Sequence, residues 1–394
     1  MYPPSRLFVL FVLCARAVVG GGCDLFGSGD GDDGGTALPE GPAVVASMEG
    51  NGDNGSALWV FNAETLERTA VVETESSVPE ALAFSPNYER WYLTWSRSVD
   101  SEGEPRNVRA LLDATRGEIT RRIAASGRSV ADGRLIYEPI NDHVVGYGDS
   151  LEFFDPETLE LVREQSIRER NDFVFDAALA EGRRTLYFAA ERRIYVYDAA
   201  EQEISSTIPA PRPGLVDVAV SPDERYLYAT TWEGQGTPGR FHMVDLETGE
   251  PVFEGGPVGK NASLAVGPDG RYVYVDCPAG GRLAIEVEPT NQVIRFDVKT
   301  RELEVFIDGG RDLGLKQDGL EAEQITMLPS GDAFVIRRPF PARIQQESEE
   351  VGPSLFVVET DTGAVRATYT LPRNEEGSVE NYVFTLDAAT VPGR

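Results

Sequence analysis

The chain has 394 residues, 41% of them apolar, with 40 glycines, 25 prolines and a formal charge of −29. Such acidity excludes a general nucleic-acid binder, because nucleic-acid affinity draws on Lys and Arg that neutralise phosphates. The length suits either two ordinary domains or one large repeat domain, and the glycine and proline content points to many turns.

Residues 7–15, LFVLFVLCA, follow Arg6 and form an apolar run of signal-peptide length. The run is too short for a membrane span, which takes about 20 residues. Two cleavage readings compete. ARA at 15–17 fits an ordinary small-x-small site, so that cleavage would follow Ala17. GGGC at 20–23 resembles the bacterial lipobox, a short apolar-small-small pattern ending in the cysteine that takes lipid, although Gly20 stands where leucine is usual.

The lipoprotein reading makes residues 1–22 the signal peptide, Cys23 the lipidation site and residues 23–41 a flexible acidic tether. Loss of Arg6 and Arg16 with the signal takes the charge from −29 to −31. Cys14 is lost too, so lipidation leaves Cys277 alone, whereas an unmodified Cys23 would permit a 23–277 disulfide in an oxidising compartment. The expected location is the bacterial cell envelope, periplasm-facing or surface, with lipid as the membrane contact. DGDDGG at 30–35 lacks the ligand register and terminal Glu of a calcium loop and reads as linker.

From residue 42 onward one element recurs seven times: a β-type run, an acidic or Asn residue, a short polar turn and a second β-type run. It reads WVFNAETLERTAVV (59–72), ALLDATRGEITRRI (110–123), EFFDPETLELVRE (152–164) and YVYDAAEQEISSTI (195–208). It continues as HMVDLETGEPVF (242–253), IRFDVKTRELEVF (294–306) and FVVETDTGAVRATY (356–369). The spacing from Asn62 to Glu359 averages about 50 residues, within the range of propeller repeats. Asn62, Asp113, Asp155, Asp198 and their equivalents are expected to close hairpin turns by accepting backbone N–H groups, since a short Asx side chain reaches two residues ahead.

A second element precedes the first in each repeat: an apolar run, a Pro/Asp/Gly turn and another apolar run. Examples are LAFSPNYERWYLTW (82–95), VAVSPDERYLYATTW (218–232) and LAVGPDGRYVYVDC (264–277). Four strands per repeat make one propeller blade. SPDERYLYATT and GPDGRYVYVDC, each followed downstream by D-x-x-T, resemble YVTN-type β-propeller repeats, with YLTW, YATT and YVDC as variants of the family's quartet. The resemblance implies an all-β chain: a single seven-bladed β-propeller of four-stranded antiparallel blades over 42–394. Relatives of that type include envelope and surface-layer proteins and noncatalytic dehydrogenase subunits, and the repeats themselves say little of function.

The ends fit a closed ring. Only PAVVASM (42–48) precedes the first acidic turn, so the first blade lacks its innermost strand, and ENYVFTLDA (380–388) is a spare strand at the other end. Pairing of the N- and C-terminal strands would close the ring and remove exposed edges.

A site is expected on the face carrying the second-to-third-strand loops and the interblade links, where the lengths are irregular. Those loops are long at 49–56, 97–106, 232–239, 277–290 and 338–353, and short in the two blades ending GYGDSLEFF and AAERRIYVY. Within the long-loop wall, Arg337, Arg338, Phe340 and Arg343 group planar cations with an aromatic ring, a composition favoured at binding hot spots. Trp95 and Trp232 end equivalent strands, and Arg311 and Lys316 lie in a link on the same face. In so acidic a chain this basic set suits a carboxylate or an anionic polymer, unless Glu347, Glu349 and Glu350 neutralise it.

The two histidines, His143 and His242, have no metal-ligand spacing, and no Cys/His cluster, nucleophile elbow or phosphate-cradling glycine loop occurs. No cofactor, metal site or catalytic residue is assigned. The expectation is a monomeric envelope lipoprotein that binds or scaffolds an unknown envelope protein or anionic ligand. The alternatives are a lactonase-like hydrolase and a noncatalytic subunit of a periplasmic oxidoreductase.

Overall fold

A computed structural model describes residues 38–50, 56–74, 78–97, 106–124, 134–167, 172–180, 182–232, 234, 239–259, 262–277, 292–308, 312, 324–328, 330–337, 355–371 and 381–391. These form seven four-stranded antiparallel sheets. The first blade has β1 (Gly41–Gly50), β2 (Ala57–Asn62) and β3 (Arg68–Glu73). The second has β4 (Ala81–Phe84), β5 (Arg90–Arg97), β6 (Arg106–Asp113) and β7 (Glu118–Ala124). The third has β8 (Leu135–Glu138), β9 (His143–Tyr147), β10 (Ser150–Phe154) and β11 (Leu161–Ser166). In the fourth follow β12 (Val174–Leu179), β13 (Thr185–Ala190), β14 (Arg193–Asp198) and β15 (Glu203–Pro209). The fifth contains β16 (Leu215–Val220), β17 (Tyr226–Thr231), β18 (Arg240–Asp245) and β19 (Pro251–Gly255). The sixth contains β20 (Leu264–Val266), β21 (Tyr272–Cys277), β22 (Gln292–Asp297) and β23 (Glu302–Asp308). The seventh contains β24 (Gln324–Met327), β25 (Ala333–Arg337), β26 (Leu355–Glu359) and β27 (Val365–Tyr369). A final strand, β28 (Asn381–Val391), returns to the first blade and pairs with β1 from Gly41↔Val391 to Gly50↔Asn381. The predicted seven-bladed ring and its closure are therefore both present.

The recurrent acidic residues make the third-to-fourth-strand turns. Asn62 Oδ1 accepts the Glu64 and Thr65 amides at 2.9 and 3.0 Å, and Asp155 Oδ1 accepts those of Glu157 and Thr158 at 3.0 and 2.7 Å. Asp198, Asp245 and Asp297 repeat the contact with the residue two ahead at 2.9, 3.0 and 2.9 Å. In the seventh blade the longer Glu359 instead accepts the Thr362 hydroxyl at 2.8 Å. The backbone N–H groups of Thr158 and Thr300 hold the Asp155 and Asp297 carboxyls below the usual range.

Four residues after each acidic position the backbone turns left-handed: Leu66, Gly117, Leu159, Gln202, Gly249, Arg301 and Gly363. Every blade also carries a register shift between its third and fourth strands. The turn thus forces one bulge per blade, which increases the local twist. Asp155→Ala should cost about 1 kcal/mol, the net worth of such acceptor bonds, read as a lower urea midpoint. Asp155→Asn should restore most of it. Because the carboxyl is depressed, that contribution is present above the ordinary carboxylate range and fades as pH falls through the folded value.

The core lies between the blades. Buried apolar residues form seven clusters, one for each pair of neighbouring blades round the ring. Second and third strands are buried on both faces, as in LWVF at 58–61, whereas fourth strands such as LVREQS at 161–166 face solvent on alternate residues. The apolar periodicity follows directly: strands covered on both sides read as continuous apolar runs and the rim strand alternates. Leu38, within the predicted tether, is 4% exposed and packs with Ala43, Val45 and Leu82 between the first and second blades.

Candidate binding site

One face of the ring consists of tight turns. The other carries the second-to-third-strand loops and the interblade links, which touch each other: the Val174 amide donates to Gly148 O at 2.9 Å, Gly214 to Glu191 O at 2.9 Å, and Trp232 to Gly214 O at 2.7 Å. Here the third and fourth blades are low. Tyr147 pairs with Leu151 and Ala189 with Ile194, so each loop is a tight hairpin. Elsewhere the connections run from Gly50 to Ala57, Arg97 to Arg106, Thr231 to Arg240, Cys277 to Gln292 and Arg337 to Leu355.

Of the residues singled out from sequence, Arg338, Phe340, Arg343, Arg311, Lys316 and Cys23 lie outside the described residues. Arg337 ends β25, with its backbone paired to Gln324 and Leu355. Trp95 and Trp232 differ by one register step: Arg90 and Tyr226 occupy the same turn position, which aligns Trp95 with Thr231. Successive strand residues face opposite ways. Trp95 is accordingly 3% exposed in the layer between the first and second blades, while Trp232, one residue past β17, is half-buried.

The structure adds a polar ring at the mouth of the central channel. The innermost strands start on the loop face, and Arg134, Asp176, Asp217, Ser263 and Gln324 hold matching positions in the third to seventh blades, all buried. Each of the first four reaches the following blade. Arg134 donates to Val174 O at 3.0 Å, and Asp176 Oδ2 accepts the Val218 amide at 2.8 Å. Asp217 Oδ2 accepts the Leu264 amide at 2.7 Å, and Ser263 Oγ accepts that of Ile325 at 3.0 Å. Asp276, in β21, accepts the Ser263 amide.

Burial raises both Asp176 and Asp217, and Asp217 is raised further by the neighbouring Asp176 charge and by the hydrogen bond between the two side chains. Burial and the interaction between the two carboxyls oppose a second ionisation, so the pair titrates as a unit. Beside the pair, the Arg134 guanidinium lies 4.8 Å from the Phe173 ring centroid and 5.8 Å from that of Phe175. The two rings are 5.2 Å apart and half-buried at the rim. Asp172 accepts the Tyr195 hydroxyl at 2.7 Å and pairs with Arg193 at 2.9 Å.

Sequence reasoning missed this ring because each member reads as an ordinary first-strand residue. The available signal was its fixed place, four residues before the turn residue of each first hairpin, as Asp176 precedes Ala180 and Asp217 precedes Ser221. The histidines sit elsewhere. His143 meets the Phe153 ring edge-on and lies 3.7 Å from Glu138, and His242 is buried with Nε2 2.9 Å from Thr231 Oγ1. Among the described residues no group of three or more His, Cys, Asp or Glu is placed to hold a metal ion, and no helix is long and apolar enough to cross a membrane.

Fold and mouth together define a seven-bladed β-propeller with a polar, partly aromatic channel entrance on its loop face. A solved chain similar to it is that of Kuenenia stuttgartiensis hydrazine synthase, with a TM-score of 0.53 and 15% identity, covering 78% of this chain and 90% of that one. At that identity the likeness concerns fold alone. No family model matches the chain, and no curated protein matches it by sequence.

Proposed function

We propose that this propeller is a binding or scaffolding module of a cell-envelope lipoprotein, anchored through Cys23 and carrying YVTN-type repeats, and that it engages a protein or anionic ligand on its loop face. The observation that carries the reading is the mouth over the third and fourth blades. There Phe173 and Phe175 are half-buried side by side with Arg134 stacked against them, beneath the shortest loops of the face. Phenylalanine and arginine are both enriched at the buried centres of interfaces, and arginine at their hot spots. The residues singled out from sequence, Arg337, Arg338, Phe340, Arg343, Trp232, Arg311 and Lys316, are part of the same proposal as further contacts for that ligand.

The opposite face offers less. Its acidic side chains are engaged in their own turns, and the turns are short and uniform. Propeller interiors of this kind hold a ligand by shape and a few polar groups above a rigid scaffold.

The test is co-purification from envelope extracts with the full chain and with residues 338–353 replaced by a short Gly-Ser linker. Loss of the partner at unchanged melting temperature is the expected result. Full retention would remove the wall from the account. Intact mass of the mature chain checks the anchor, which requires a lipid-modified Cys23 at the N-terminus; an unmodified start at Val18 would remove it.

A further inference from the structure

The buried carboxyl pair at the channel mouth has a geometry beyond structural capping. Asp176 belongs to the fourth blade and Asp217 to the fifth, yet Asp176 accepts the amide of Val218, the residue next to Asp217, at 2.8 Å. Asp217 in turn accepts the amide of Leu264 in the sixth blade at 2.7 Å. Two carboxyls therefore clamp three consecutive inner strands, and Asp176, bonded to the residue next to Asp217, opposes ionisation of the Asp217 carboxyl. Adjacent buried carboxylates cannot both ionise without strong repulsion, so such a pair retains a proton.

We propose that Asp176 and Asp217 form a proton-dependent latch across the fourth, fifth and sixth blades. With one proton shared, the latch holds three inner strands together. When that proton leaves, repulsion between the carboxylates loosens the joint at the mouth of the channel. The proton moves from the Asp217 carboxyl to solvent, and no other reactant is needed.

The charged and titratable groups facing the pair are Arg134 ahead of β8, Tyr147 at the end of β9 and Asp276 in β21. Arg134 favours ionisation of Asp176, whereas Asp276 opposes that of Asp217. Tyr147 is itself pushed up, first by burial and then by the Asp176 charge, and stays neutral. Arg134 cannot neutralise both acids, and the third carboxylate sits on the Asp217 side, so Asp217 keeps the proton.

The direction in pH follows. Both folded carboxyls lie above their unfolded values, so their contribution to stability is complete below the ordinary carboxylate range near 4. It is lost as pH rises from there through the folded values. Asp217→Asn keeps a donor towards Asp176 and an acceptor for Leu264, but cannot lose the proton.

The experiment compares thermal unfolding of the wild-type protein and D217N from pH 4.5 to pH 8.5, which cancels the general effect of the other acids. The variant's advantage should be near zero at the acid end and grow to about 5 °C at the alkaline end. A difference that stays constant across the range overturns the latch. A second readout needs only the wild type: hydrogen exchange at the Val218 and Leu264 amides, corrected for intrinsic rates, with Phe188 in β13 as reference. Protection should fall at the two latch amides above neutral pH while Phe188 holds. Parallel behaviour of all three amides also overturns the proposal.

Discussion

A chain ending after residue 380 is expected to lose cooperative folding altogether. β28 is the innermost strand of the first blade and pairs with β1 along the whole length of β1. Without it, the backbone groups of β1 that face β28 lose their partners at the centre of the molecule. Val44 and Ala46, packed towards the seventh blade, and Val45, packed towards the second, all fully buried in the intact chain, would then lie on an unpaired edge strand. Unsatisfied backbone groups and a long apolar edge are together the conditions for edge-to-edge association.

The truncated protein should be recovered mainly as aggregate, without a thermal transition. Adding a peptide of residues 381–394 during refolding should restore a soluble fraction. A soluble truncated chain with the wild-type melting temperature would mean that the ring does not depend on this strand.

The second large effect is expected at Phe241→Ala. Phe241 is fully buried in β18, between the fifth and sixth blades, with ring centroids 4.9 Å from Phe296 and 6.2 Å from both Tyr228 and Phe253. Truncation removes the transfer free energy of a whole ring and leaves a cavity among residues fixed by two sheets, so the cost is about 4 kcal/mol. In a chain of this size that corresponds to a melting temperature lower by about 5 °C. Phe241→Leu, which keeps most of the volume, should cost under about 2 kcal/mol. The alanine variant distinguishes interblade packing from turn chemistry, because Asp155→Ala changes only a rim turn.

The fold was readable in the sequence because its turns are chemically repetitive. An Asx residue that accepts amides two and three positions ahead recurs at blade spacing, and the apolar runs around it have to be strands. The left-handed position that follows was only partly readable. Gly117, Gly249 and Gly363 announce it, but Leu66, Leu159, Gln202 and Arg301 adopt the same conformation without glycine's freedom. Burial fixes Leu66 and Leu159 there, while Gln202 and Arg301 are held by bonds to Asn141 and to Val252 O.

The site was less readable for a geometric reason. Asp176 and Asp217 are 41 residues apart in the chain and meet only because equivalent positions of neighbouring blades come together around the channel. Nothing local to FVFDAAL or GLVDVAV marks them as partners. The tryptophans illustrate the same limit: Trp95 and Trp232 end equivalent strands, yet a one-residue offset buries the first and leaves the second half-buried. Sequence also placed the start of the folded unit at residue 42, whereas Leu38 already packs into the first interblade layer.

The binding face is tested most directly by a hydrogen-exchange footprint of the complex captured from the envelope. Slower exchange is predicted in the links and loops around the channel mouth, including the segment before Val174 and the Gly148 and Glu191 hairpins. The Asx turns at Asp113, Asp155, Asp198 and Asp245 on the opposite face should be unchanged. Protection confined to those turns, with the mouth unaffected, would contradict the assignment of the loop face as the binding surface.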